Sequence, residues 1–459
     1  MNPPEDTIAA IATPPGEGGI AIIRISGAET YAIADRIFQT GGPRPSDRRP
    51  FTFAYGRIVD TQGAGLDDVL MLFMRAPRSL TGEDVVEVHT HGGAICARRV
   101  LRRVLNEGAR PAEPGEFTKR AFLNGRMDLM QAEAVLDLIR ARSERAASAA
   151  HEQLEGVLSA RFNGVYDEIV SVAADLEATL DFPDDELPDA VIADVLRRLA
   201  AVRHHVIKLL ATWDEGHDLR DGVLVAIIGR PNAGKSTLMN ALLGTDRAIV
   251  STTAGTTRDT IEEVLVLDGI PFRLVDTAGL RESDCDIEQE GIRRTYNYLK
   301  QSDIQIFILD ASGDIDGEDG AHIAQLDPAT SLIVLNKADL GLRCRAHDMS
   351  NHLAVETCLI GGDDRAGPVR SALTGMLHGR LDLSARPHAV VSERHRALLD
   401  AALHELDTAI QLTRGELSDQ VVFAASSLRS ALELLGAATG RVYEDELLDR
   451  IFSRFCIGK

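Results

Sequence analysis

Residues 229–237 read Gly229-Arg230-Pro231-Asn232-Ala233-Gly234-Lys235-Ser236-Thr237. The residues before them, Val223-Leu224-Val225-Ala226-Ile227-Ile228, form an unbroken apolar run of the kind found in a buried strand. Those after, Leu238-Met239-Asn240-Ala241-Leu242-Leu243, follow a helical pattern. A strand, a G-x-x-x-x-G-K-[ST] turn and a helix in that order make a phosphate-binding loop. Gly229 and Gly234 let the backbone curl until its N–H groups face phosphate oxygens at a helix N-terminus. Lys235 brings a point charge to the β/γ-phosphates, and the Ser236 hydroxyl is a ligand for Mg²⁺.

Further motifs follow in register. Thr252-Thr253-Ala254-Gly255-Thr256-Thr257 offers a threonine to complete Mg²⁺ coordination. Phe272-Arg273-Leu274-Val275 reads as a strand ending in Asp276-Thr277-Ala278-Gly279; Asp276 is placed to hold Mg²⁺ through water and the Gly279 N–H to sense a γ-phosphate. Strands at Ile304–Leu309 and Ser331–Leu335 come next, the second ending in Asn336-Lys337-Ala338-Asp339. The Asp339 carboxylate can accept from guanine N1–H and the 2-amino group, donors that adenine lacks on that edge. These motifs on strand ends predict a doubly wound, parallel-sheet GTPase domain over 222–384. Leu280 stands where many small GTPases carry a water-orienting Gln, so another group orients the water or hydrolysis is slow. Asn232 is either a plain turn residue or a side-chain carbonyl ligand for a monovalent cation beside the phosphates.

Residues 1–123 mix short β-like runs with helical ones and predict an α+β domain. Ile20–Ile25 and Val85–His89 read as strands and Cys96–Asn106 as a helix. Arg24 and Glu87 sit inside the strand runs. Such residues ordinarily face solvent; together they can instead clamp a polar heterocycle, Glu accepting from ring N–H groups and Arg binding a carbonyl or carboxylate. His89 and His91, before Gly92-Gly93, have no evident third metal ligand and read as turn histidines.

From Met127 the pattern becomes helical to about Leu180, is broken by the acidic Asp181–Pro188 stretch, and resumes to about Trp213. Helical segments return after Arg386-Pro387, at His395–Leu412, Val421–Leu435 and Glu444–Phe455. Helices at 124–221 and 385–459 therefore flank the GTPase segment, as one helical domain with an insertion or as two separate domains.

The 459 residues suggest about three domains. Scattered cysteines (Cys96, Cys285, Cys344, Cys358, Cys456) fit a reducing compartment and argue against a zinc site. No run is expected to reach the ~20 apolar residues of a membrane helix, and Met1–Asp6 has no signal-like character, so a cytoplasmic location is expected. A net charge of −21 excludes nucleic-acid binding by overall charge. Arg98, Arg99, Arg102, Arg103, Arg140, Arg142 and Arg145 are candidates for local patches, though each reads first as a solvated helix face.

The chain resembles the MnmE (TrmE) family of bacterial tRNA-modification GTPases over essentially its whole length. The resemblance is carried by Asp6-Thr7-Ile8-Ala9-Ala10, Thr13-Pro14-Pro15-Gly16, Thr81-Gly82-Glu83-Asp84, Pro114-Gly115-Glu116-Phe117-Thr118, Ala121-Phe122-Leu123-Asn124-Gly125-Arg126 and the tail Ile451-Phe452-Ser453-Arg454-Phe455-Cys456-Ile457-Gly458-Lys459. It implies a tetrahydrofolate-binding-like N-terminal domain that makes a homodimer, and a helical domain into which the GTPase domain is inserted. It implies GTPase domains that pair in a K⁺-dependent way. It implies a heterotetramer with the flavoprotein MnmG, which would carry FAD, and no membrane association. The product would be an aminomethyl or carboxymethylaminomethyl group at carbon 5 of the wobble uridine of certain tRNAs, with formyl- or methylene-tetrahydrofolate giving the one-carbon unit.

Carried over residue by residue, the resemblance puts folate contacts on Arg24, Glu87, Arg126 and Lys459. It puts K⁺ on Asn232, Ser251, Thr253 and Thr256, and Mg²⁺ on Ser236 and Thr257. GTP contacts fall on Asn232, Ala233, Gly234, Lys235, Ser236 and Thr237, on Ser251 through Thr257, on Asp276 through Gly279, and on Asn336 through Asp339. Glu288 would position the attacking water, with Lys235 and Thr257 as the other catalytic groups. Residues 352–360 do not show the family's guanine-contacting S-A-[KR], and Ser426-Ser427 replace residues that are commonly acidic. The other function that shares the GTPase motifs, a ribosome-assembly or RNA-binding regulatory GTPase, calls for a basic G-x-x-G module after the GTPase domain, where this chain has helices.

Overall fold

The computed structural model describes residues 6–180, 189–244, 262–276, 301–344, 349, 351–360, 364–379, 391–414 and 418–459. The chain divides into two compact units. One comprises 1–136, 153–207 and 397–459, and the other 137–152 and 208–396.

The first unit begins with β1 (Ile8–Ile11), β2 (Ile20–Ser26), α1 (Thr30–Ile37), β3 (Phe38–Gln39), β4 (Thr52–Val59), β5 (Gly65–Met74), β6 (Val85–His91), α2 (Ala94–Leu105), β7 (Arg110–Pro111) and α3 (Glu116–Leu123). The strands form a seven-stranded sheet in the order β3-β4-β5-β6-β2-β1-β7. Alternation decides its faces. Ile23 and Ile25 of β2 and Val86 and Val88 of β6 are buried with Ala97, Val100 and Val104 of α2 in one core. The intervening residues take the opposite face, where Arg24 pairs across the ladder with Glu87 and Ile22 with His89. Both histidines of His89-x-His91 therefore lie within a strand rather than in the turn expected from Gly92-Gly93. Ile20, Phe53, Tyr55 and Leu70 stay exposed.

The helical run resolves into α4 (Leu129–Arg140), α5 (Glu144–Leu154), α6 (Val157–Leu180), α7 (Asp189–Leu210) and α8 (Trp213–Arg220). The acidic 181–188 stretch lies outside the described residues, as does Arg386-Pro387.

The second unit holds β8 (Val223–Gly229), α9 (Lys235–Leu243), β9 (Glu262–Leu267), β10 (Ile270–Asp276), β11 (Ile304–Asp310), α10 (Gly317–Ile323), β12 (Ser331–Asn336), β13 (Leu353–Glu356) and α11 (Gly367–His378). The sheet order is β13-β12-β11-β8-β10-β9. All pairings are parallel except β10 with β9. Residues 223–228 of β8 and 332–335 of β12 are unbroken apolar runs because both faces of these strands are covered.

The closing helices are α12 (Glu393–Thr413), which enters the first unit from residue 397, α13 (Ser418–Thr439) and α14 (Asp445–Phe452). By length and composition Gln420–Thr439 is apolar enough to cross a membrane, which corrects the expectation that no run would be. It packs along α6 with its Ala424, Leu428, Ala431, Leu435 and Ala438 buried, while Val422 and Phe423 on the same helix are exposed. Leu448, Ile451, Phe452 and Phe455 form a core with Phe122, Leu129 and Ala132, so the tail belongs to the first unit.

Candidate functional site

In the second unit the carboxyl ends of the parallel strands β8, β10, β12 and β13 deliver the motif residues to one edge of the sheet, the place where open α/β sheets bind ligands. Gly229 ends β8, and a Cβ there would overlap the Ile308 carbonyl. Gly234 (φ 112°) caps α9, and a Cβ there would overlap the Asn336 side-chain amide. That amide donates from Nδ2 to the Ala233 carbonyl at 2.8 Å, and its Oδ1 accepts from the Leu359 N–H at 3.4 Å. Asn336 is thus the bolt between the phosphate loop and the strand that carries the base-reading motif.

Lys235 Nζ donates to the carbonyls of Gly229 (2.9 Å) and Arg230 (2.7 Å), which aims its charge along the loop. Arg230 is held by Asp316, Glu318 and Asp319 at the start of α10. Asn232 and Lys337 both take left-handed backbone with φ 64°, a cost of roughly 1–3 kcal/mol each that clusters at ligand sites. Lys337 Nζ pairs with Asp310 Oδ2 at 2.6 Å. The neighbouring charge and the Ser312 hydrogen bonds outweigh burial and hold the Asp310 carboxyl below the usual carboxylate range. Ser236, Thr237 and Asp339 are exposed, Asp339 on a short 3-10 turn.

The loop after β13 is fastened to the same place. The Thr357 N–H donates to the Leu335 carbonyl at 2.9 Å, and the Ala338 N–H to the Thr357 carbonyl at 3.2 Å. Thr357-Cys358-Leu359 therefore lies beside Asn336–Asp339, in residues where the sequence shows no S-A-[KR]. The signal was positional: a parallel strand after N-K-x-D puts the next loop against it. Asp276 ends β10 as expected, with its side chain outside the described residues. Ser251, Thr252, Thr253, Ala254, Gly255, Thr256, Thr257, Thr277, Ala278, Gly279, Leu280 and Glu288 also lie outside them.

A second constellation lies on the face of the first unit's sheet opposite α2. Arg24 Nε pairs with Glu87 Oε1 at 2.8 Å, and an Arg24 terminal nitrogen donates to the Gly458 carbonyl at 3.1 Å. The guanidinium lies over the Phe117 ring, 5.6 Å from its centroid. The tail reaches this place because Gly458 (φ 94°) passes so close to Ile11 and Ala12 that a Cβ would overlap their backbone. The Lys459 carbonyl accepts from the Phe117 N–H at 3.2 Å. Arg24, Glu87 and Lys459 are thus gathered, while Arg126 packs against Gly82. In the same unit Arg120, 1% exposed, pairs with Asp6, Glu83 and Glu116.

A P-loop tied through Asn336 to an N-K-A-D motif at the strand ends of a parallel sheet defines a GTPase domain. Residues 7–126 match the family model for the GTP-binding protein TrmE N-terminus, and residues 129–456 match that for the MnmE helical domain. A tRNA modification GTPase MnmE of Moorella thermoacetica is 44% identical over 472 aligned residues, covering 99% of this chain and 100% of the relative. Proteins of the same name from Geotalea uraniireducens (43%) and Geobacter metallireducens (44%) each cover 99% of both chains. The chain belongs to the MnmE family of tRNA modification GTPases, and it is a GTPase.

Proposed function

We propose that this GTPase uses its nucleotide cycle to drive modification of the wobble uridine of certain tRNAs, adding an aminomethyl or carboxymethylaminomethyl group at carbon 5. The observation that carries this reading is the presence in one chain of two built sites, the phosphate loop bolted by Asn336 and the Arg24–Glu87 pair completed by the Gly458-Lys459 tail. A GTPase acting as a switch alone has no use for the second. Arg24 and Glu87 suit a reduced pteridine: the carboxylate accepts from adjacent ring N–H groups and the guanidinium donates to a carbonyl. Arg126 and Lys459 add positive charge for the glutamyl tail of formyl- or methylene-tetrahydrofolate.

At the nucleotide, Lys235 binds the β/γ-phosphates, Ser236 and Thr257 hold Mg²⁺, and Asn232 with Ser251, Thr253 and Thr256 holds K⁺. When bound, these cations supply the positive charge that developing phosphate charge requires. Asp276 orients the Mg²⁺ shell, Gly279 reports the γ-phosphate, and Glu288 positions the attacking water. Asp339 reads guanine. The protein works in the cytoplasm as a homodimer, in a heterotetramer with the FAD-carrying partner MnmG.

The test is nucleoside mass spectrometry of wobble uridines from cells lacking the protein, with plasmid-borne protein as the control. Loss and restoration of the carbon-5 group is expected; unaltered uridines would sink the reading. GTP turnover should be faster in K⁺ than in Na⁺, and equal rates would remove the K⁺ assignment.

A further inference from the structure

His89 lies two residues from Glu87 on β6 and on the same face of the sheet. Its ladder neighbours are Ile22 on β2 and Leu70 on β5, and those of Glu87 are Arg24 and Leu72. Among these side chains only Arg24, Glu87 and His89 are polar. The imidazole is held edge-on to the Phe53 ring, with centroids 5.6 Å apart and an interplanar angle of 82°. Nε2 is shielded from solvent and makes no hydrogen bond among the described residues. Glu87 Oε2 lies 3.5 Å from it.

The two carboxylate oxygens of Glu87 are therefore served unequally. Oε1 is fixed by Arg24 Nε at 2.8 Å, and Arg24 is itself fixed by the Gly458 carbonyl. Oε2 has the His89 ring nitrogen just beyond hydrogen-bond reach. A shielded polar nitrogen without a partner is costly, and a small closure of this gap satisfies both groups. We infer that His89 is a positioning residue for Glu87, holding Oε2 through Nε2–H so that the carboxylate presents fixed lone pairs to a heterocycle with adjacent N–H donors. The inference rests on the tetrahydrofolate reading of this site. It assigns to His89 the orientation of the acceptor, as an outer hydrogen bond orients a ligand-binding carboxylate elsewhere.

The experiment is calorimetric titration of 5-formyltetrahydrofolate into the full-length protein, comparing wild type, His89→Gln, His89→Leu and Arg24→Ala, with a thermal melt of each. The Gln amide nitrogen takes the place of Nε2, whereas Leu keeps the bulk and removes the donor. His89→Leu should bind about tenfold more weakly or worse, His89→Gln should stay within about threefold of wild type, and the melts of these two variants should coincide with that of wild type. Wild-type affinity in His89→Leu would overturn the role of His89; loss of binding in Arg24→Ala would then leave the folate site standing. Equal weakening in Leu and Gln would also overturn it, since the ring and not the donor would be what matters. No binding by wild type would remove both the inference and the folate reading.

Discussion

The side chain of Asn336 lies across the phosphate loop at Gly234, its Nδ2 donating to the Ala233 carbonyl at 2.8 Å, so close that no Cβ fits on the glycine. Two motifs separated by about a hundred residues thus form one rigid piece, and the glycine is required by its neighbour as well as by its own φ of 112°. Gly234→Ala must both strain the backbone and expel the amide. A cost of roughly 1–3 kcal/mol corresponds to about a fivefold to 150-fold loss of nucleotide affinity. Titration with a fluorescent GDP analogue checks this, and wild-type affinity would mean that the loop relaxes around the methyl group.

Asp339 is expected to set base specificity, because its carboxylate matches the two donors on the guanine edge. In Asp339→Asn one acceptor becomes a donor, which mismatches guanine and matches the 2-oxo group of xanthine. GTP turnover should fall by about 10²-fold or more and XTP turnover should rise. Competition of GTP against XTP in one reaction measures the ratio, and an unchanged preference would move base reading to another residue.

Arg120 is the cation at the centre of Asp6, Glu83 and Glu116. Removing it strands buried carboxylates, so Arg120→Met should cost about 3–5 kcal/mol, read as a lowered melting temperature of the first unit. The network also sets an acid limit. Burial pushes the Glu116 carboxyl up, but hydrogen bonds from Arg110, the Glu113 N–H and Arg120 outweigh it and hold the group below its ordinary 4.5. Asp6 is likewise held below 3.8 by Arg110 and Arg120 against burial, though its more exposed position makes it the smaller contributor. Depressed carboxylates stabilise the fold above their unfolded values and lose that contribution as pH falls through the folded ones. Unfolding free energy should therefore be flat above about pH 5 and drop below about pH 4. A flat profile down to pH 3 would dismiss the network as a source of stability.

Cys96 should be inert. Burial, then its hydrogen bond to Asp67 at 3.0 Å, pushes the thiol up to about 11, and only the thiolate is reactive. Iodoacetamide at pH 8 followed by peptide mapping should mark the exposed Cys456 long before Cys96, and Asp67→Asn should speed Cys96 severalfold. Equal labelling of both in wild type would contradict the assigned environment.

The sequence by itself determined the phosphate loop, the base-reading motif and the parallel sheet beneath them, because G-x-x-x-x-G-K-S and N-K-A-D are local and their chemistry follows from adjacent residues. It also located Arg24 and Glu87 within strands. The strand reading of Val85–His89 already put Glu87 and His89 on one face by the period of two, but it did not reveal that Val86 and Val88 are the ones that face the α2 core. Thr357-Cys358-Leu359 carries no residue-type signature because what fastens it is its own backbone, bonded to Leu335, Ala338 and the Asn336 side chain, so only its position after N-K-A-D could be read. The arrival of Gly458 at Arg24, 434 positions away in the chain, was decided by tertiary structure alone. Contacts between segments so distant are selected by packing of the whole unit, here Phe452 and Phe455 against Phe122 and Leu129, and leave no local pattern to read.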